Sequence, residues 1–216
     1  MTTNKIEYKP YSSSLKLEKK FNIFFERTFN SFHEELQLLR NTMYKSEQSK
    51  DIFALNERTW VGILNNAILK AFPNDEVSTL QEFGVYHNEN KNHIGRADYL
   101  VCWEDKYLLF EAKQYEELST KKLIQKVNDK SYDKEFEQAM NYYKAESIYY
   151  KGKTVYIIPI YFGWMREKIK YNLIDEAKKY KIESDDETDF CALYYEGNNG
   201  VWVYGKVYNI GEVITN

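Results

Sequence analysis

The residues best placed to do chemistry in this chain are an acid, Asp98, and a Glu-Xaa-Lys triplet, Glu111-Ala112-Lys113, with twelve residues between Asp98 and Glu111. Two carboxylates and an ammonium brought together suit a hard divalent cation held through oxygen, beside a base that positions an attacking water. Mg²⁺ is the natural candidate, because one or two carboxylates plus substrate phosphate and water are enough to hold it. The triplet alone says little, since Glu-Xaa-Lys also starts at Glu7, Glu18, Glu89, Glu104 and Glu176. Setting separates Glu111 from the rest. It follows the apolar run Tyr107, Leu108, Leu109, Phe110, which can fold back antiparallel on a strand that begins with Asp98. The hairpin then returns Glu111 and Lys113 to the end of the sheet where Asp98 stands. Strand alternation puts Glu111 and Lys113 on one face and Ala112 on the other. The alternative is a plain salt bridge between Lys113 and either acid on a solvated strand end.

The elements that must hold these residues are read from periodicity. Strand-like runs cover Gln81–Tyr86, Ala97–Trp103 and Tyr107–Lys113, with Glu104-Asp105-Lys106 as a tight reversal, which makes a β-meander. Residues 87–96 are polar and without period, so they are expected as an exposed loop. Before the meander a helix is expected over Asn56–Phe72, with Glu57 one turn ahead of Val61 on the stripe of Val61, Leu64 and Ile68. A carboxylate there either answers the helix dipole or points toward a site. After the meander come a helix over Asp129–Tyr150, a buried strand over Thr154–Phe162 and a helix over Arg166–Tyr180. A hairpin of Phe190–Tyr195 and Val201–Tyr208 closes the chain around Gly197-Asn198-Asn199-Gly200. Ahead of all this, Phe25, Phe29, Phe32, Leu36, Leu39 and Met43 recur at spacings of 4, 3, 4, 3 and 4 on a long helix from Leu15 to Glu47. Such a seam packs on its own domain or docks a second copy or a protein partner. The expected organisation is an N-terminal helical extension over 1–50 and an α/β domain over 51–216.

Composition bounds the function classes. Nine glycines and three prolines in 216 residues exclude collagen-like and low-complexity chains. The longest nearly apolar stretch, Val155–Met165, is broken by Pro159 and Gly163 and is far short of a membrane span. The polar N-terminus, Met1-Thr2-Thr3-Asn4-Lys5, carries no signal-peptide core, so the expected location is the cytoplasm. Cys102 and Cys191 fit no metal-ligand spacing and are expected reduced and buried in strands. The formal net charge is −3. It divides unevenly: from Glu183 on, seven acids face one base, Lys206, which leaves residues 1–182 at +3. That permits a phosphate-binding surface without indicating one. Of the histidines, His87 and His93 flank the loop before Asp98 and are expected solvated. Most of the 20 tyrosines are expected in strands and edges.

With Asp98, Glu111 and Lys113 in this order, the sequence resembles the PD-(D/E)xK nuclease superfamily. Gly95-Arg96-Ala97-Asp98 through Glu111-Ala112-Lys113 matches its motif, with Ala97 where the name-giving Pro would stand. Glu57 on the preceding helix matches an acid that the superfamily often carries there. Gln138 and Tyr142, four apart on the following helix, match its exonuclease-like branch. The resemblance covers Asn56 to Phe162. It implies an α/β restriction endonuclease-like fold, a mixed sheet flanked by helices, with the long N-terminal helix and the C-terminal β-hairpin as additions. It implies a Mg²⁺-dependent nuclease, with Mn²⁺ able to substitute, acting on nucleic acid, DNA foremost. Asp98, Glu111 and the Ala112 carbonyl would bind the metal. Lys113 would orient the attacking water and stabilise charge on the scissile phosphate, and Glu57 would complete a second metal position or hold a water. Gln138 and Tyr142 would support Lys113 or contact substrate. An inactive protein of the same fold, acting on a partner through its long helix, is the alternative. No Arg cluster for gripping nucleic acid is evident.

Overall fold

A computed structural model describes residues 6–13, 17–43, 55–73, 77–86, 93–115, 132–146, 152–165, 190–196 and 199–212. The helix expected over 166–180, the acidic run 183–189, His87 and the outer turns of two expected helices lie outside these residues. Among the described residues there are eight strands and three helices: β1 (Glu7–Ser13), α1 (Lys19–Met43), α2 (Glu57–Ala71), β2 (Val77–Tyr86), β3 (His93–Trp103), β4 (Lys106–Tyr115), α3 (Tyr132–Glu146), β5 (Thr154–Met165), β6 (Phe190–Glu196), β7 (Asn199–Gly205) and β8 (Tyr208–Glu212).

The strands form one mixed sheet in the order β1-β6-β7-β5-β4-β3-β2, with β8 also on β5. β2, β3 and β4 are the expected antiparallel meander, and β5 lies parallel to β4, as a crossover through α3 requires. Helices cover both faces. α1 and α2 pack on one side, where Trp60, Phe32 and Phe162 stack on one another and Phe25 stacks on Phe190 at 4.1 Å between ring centroids. α3 packs on the other, where Ala139 and Tyr142 meet Ala97, Leu109, Val155 and Ile157.

The Phe/Leu seam of α1 is spent inside the molecule. Phe25, Phe29, Phe32 and Leu36 are fully buried against α2 and the sheet, and Leu39 packs at the margin. The expectation of a docking seam is corrected for these residues, because the sheet already covers the apolar face that a partner would need. β1 and α1, expected as an extension over 1–50, share this core with the rest: β1 pairs with β6, and Tyr194 donates its hydroxyl to the Phe29 carbonyl at 3.0 Å.

Other expectations move. The described helix starts at Lys19 rather than Leu15, β2 starts at Val77 rather than Gln81, and β3 starts at His93, so the end of the supposed loop 87–96 is strand. The run Val201–Tyr208 is two strands sharing one edge of β5, with the Lys206 N–H given to the Pro159 carbonyl at 3.2 Å where they meet. The last residue of β7, Gly205, lies against the Phe190 ring, where a Cβ would clash. Cys102 and Cys191 are reduced thiols in strands, half-buried rather than buried. No helix of the described residues is long and apolar enough to cross a membrane.

Candidate active site

The β3–β4 hairpin turns at Glu104 and Asp105, with Glu104 at φ 54° and the Lys106 ammonium tied to both carboxylates. From there its ladder runs from Trp103↔Lys106 to Tyr99↔Phe110. Asp98 and Glu111 follow immediately at its far end, side by side. There side chains take over from strand pairing. The Ala112 N–H donates to Asp98 Oδ2 at 2.8 Å, and the Gln114 N–H, two residues on and pointing the same way, donates to Glu57 Oε2 at 3.0 Å. Glu57 is the first residue of α2, whose N-cap Asn56 accepts from the Thr59 N–H at 2.9 Å. The Gln114 side chain donates to the Leu55 carbonyl just before that cap. Asp98, Glu57 and the Glu-Ala-Lys strand are thus stitched together by three hydrogen bonds. Deeper in, Asn65 of α2 accepts from Thr79 and from Tyr99, locking the helix to β2 and to β3, the strand that carries Asp98.

Alternation places Glu111 and Lys113 on the α3 face, while Ala112 packs in the core beneath α1 and α2, as expected. Glu111 is only 1% exposed. Its Oε1 accepts from the Gln138 amide, which also donates to the Tyr142 hydroxyl at 2.9 Å, and Lys113 Nζ stands 3.8 Å away. The structure therefore brings together Asp98, Glu111, Ala112, Lys113, Glu57, Gln138 and Tyr142. The pair of Glu111 and Lys113 is not a solvated surface bridge. A buried carboxylate costs several kcal/mol in desolvation, roughly, and seldom improves stability over an apolar residue, which makes such a group a site candidate.

Electrostatics agrees. Burial raises the Asp98 carboxyl above its ordinary value, the Ala112 N–H and Lys113 oppose this, and the charges of Glu57 and Glu82 add to the rise. Burial, and next the charge of Glu111, also raise the Tyr142 hydroxyl. Among the described residues no group of three or more His, Cys, Asp or Glu side chains forms a ready cage for a metal ion. The donor chemistry nonetheless fits Mg²⁺: every candidate ligand is a hard oxygen, and Mg²⁺ takes one or two carboxylates and completes its shell from water and phosphate.

Three neighbours escaped the sequence reading. Gln114 fixes Glu57; Glu82, at φ 44°, stands across from Asp98 on β2; and Arg58 of α2 pairs with Glu82 at 3.0 Å. Only Gln114 left a trace, as a polar residue continuing the strand past Lys113. His33, by contrast, serves the fold, bonded to the Ile6 carbonyl at 2.8 Å, and His93 is the first residue of β3. The chain matches no family model, no characterised protein and no solved structure.

Proposed function

We propose that this chain is a metal-dependent nuclease of the PD-(D/E)xK type that hydrolyses phosphodiester bonds of nucleic acid, with DNA as its substrate. The observation that carries the reading is the meeting of Asp98, Glu111 and Lys113 at one end of the sheet, with Glu57 tied in beside them through Gln114. The restriction endonuclease-like fold is proposed with it. Its support is the order helix, antiparallel meander, helix and parallel strand in α2, β2–β4, α3 and β5.

Asp98 and Glu111, with the Ala112 carbonyl, are the groups that would hold Mg²⁺ or Mn²⁺, and Glu57 is placed for a second position. A cation bound there would supply Lewis-acid polarisation of the scissile phosphate and of an attacking water. Lys113 orients that water and balances charge that develops on the phosphate. Gln138 holds the Glu111 carboxylate at a fixed angle, and Tyr142 fixes Gln138 in turn. The fold therefore fixes the acids before substrate arrives, which spares the reaction the entropy of assembling them.

The test is cleavage of circular and linear, single- and double-stranded DNA and of RNA, each with Mg²⁺, with Mn²⁺ and with chelator. Cleavage that needs the metal supports the reading. Cleavage that survives excess chelator, or none on any substrate, overturns it.

A further inference from the structure

A polyanion approaching Glu57, Glu82 and Asp98 meets three carboxylates, so its binding needs a cation at the rim. Resting on the nuclease reading above, we propose that Arg58 contacts a backbone phosphate of the nucleic acid beside the scissile bond, with Glu82 holding its guanidinium ready at the rim of the site.

Arg58 follows Glu57 in the first turn of α2, and its side chain is 76% exposed. Its Nε stands 3.0 Å from Glu82 Oε1. The two terminal nitrogens have no protein partner among the described residues. Those nitrogens form the planar fork that matches a phosphate with two parallel hydrogen bonds. Lys113, 3.8 Å from Glu111, is assigned to the water and the scissile phosphate, which leaves the neighbouring phosphate to another cation.

Glu82 is placed for this task by its backbone. The rungs Gln81↔Tyr99 and Phe83↔Ala97 flank it, which sets it opposite Asp98. Thr79 faces α2 through Asn65, so strict alternation would send Glu82 to the other face of the sheet. The left-handed φ of 44° is where the strand turns Glu82 toward Arg58 instead. A non-glycine residue seldom adopts that conformation, and such outliers gather at functional sites.

The experiment measures binding of labelled single- and double-stranded DNA across a range of salt, with Ca²⁺ replacing Mg²⁺, and single-turnover cleavage in Mg²⁺. Arg58→Ala, Arg58→Lys and Lys70→Ala are compared with wild type. Lys70 is the control, an exposed cation at the far end of the same helix, paired with Glu34 and Glu35. Loss of one charge-assisted phosphate contact weakens binding by about tenfold and lowers the salt slope by about one. Arg58→Ala should show both changes and bind less well than Arg58→Lys. Lys70→Ala should match wild type. If Arg58→Ala binds with wild-type affinity and slope while wild type cleaves, the inference falls and the nuclease reading stands. If the Arg58 and Lys70 variants weaken equally, the effect is net charge and the inference falls as well. Wild type that neither binds nor cleaves overturns both.

Discussion

Replacing Lys113 with alanine should separate metal binding from chemistry. Lys113 Nζ lies 3.8 Å from Glu111 Oε1, and the lysine is 33% exposed while Glu111 is buried. Two unit charges at that separation interact by about 1 kcal/mol at the dielectric of water and about 4 kcal/mol at an effective dielectric of 20. Partial exposure of the lysine places the pair in the lower half of that range, roughly 1–2 kcal/mol. Lys113→Ala removes that positive potential from a carboxylate proposed to hold a cation. Mg²⁺ affinity should therefore rise, by about 5- to 30-fold. Turnover should move in the opposite direction, falling by about 100- to 1,000-fold, the usual effect of losing one electrostatic contributor to a transition state. Calorimetric Mg²⁺ titration beside single-turnover cleavage at saturating Mg²⁺ reads both. Weaker Mg²⁺ binding together with lost turnover would make Lys113 a prop for the acids. Unchanged turnover would remove it from the chemistry.

Asp98→Asn should stabilise the metal-free protein at neutral pH. The Asp98 carboxyl is raised in the fold above its ordinary 3.8, chiefly by burial, so its contribution to stability is complete below that value and is lost as pH rises through the folded one. The variant has no such loss, and its melting temperature should pull ahead of wild type as pH climbs from about 3 to 7; a difference that does not change with pH would refute the electrostatic account. Phe29→Ala removes a fully buried ring packed on Phe25 and Phe190 and should cost about 3–5 kcal/mol, read by urea unfolding, with the oligomeric state unchanged. Wild-type stability with an altered oligomeric state would restore the seam of α1 to a docking role.

Much of this arrangement was legible in the sequence because it depends on local rules. The apolar run before Glu111 and the reversal at Glu104-Asp105 fix a hairpin, and a hairpin fixes which ends meet, so Asp98 beside Glu111 needed no tertiary information. The spacing of Gln138 and Tyr142 likewise fixes a shared helical face. What stayed hidden depends on distant partners. Gln114 matters because its N–H finds Glu57, 57 residues away, and Arg58 because a left-handed residue on β2 turns Glu82 toward it. β1 was missed because Glu7–Ser13 is polar and contains Pro10, which an edge strand tolerates and a sequence pattern discounts. The break between β7 and β8 falls at Gly205-Lys206, an interruption too short to divide the pattern of Val201–Tyr208 into two strands from sequence.

Single-turnover cleavage of DNA by wild type and by Glu111→Gln, started with Mg²⁺ and repeated in chelator, decides whether Glu111 holds a catalytic cation. Glutamine keeps the size of the Glu111 side chain and an oxygen for the Gln138 amide, while it removes the charge that would hold the cation. Wild type should cleave only with Mg²⁺, and the variant should cleave at a rate lower by at least about 100-fold. Equal rates in the two proteins, or wild-type cleavage unaffected by chelator, would contradict that role of Glu111.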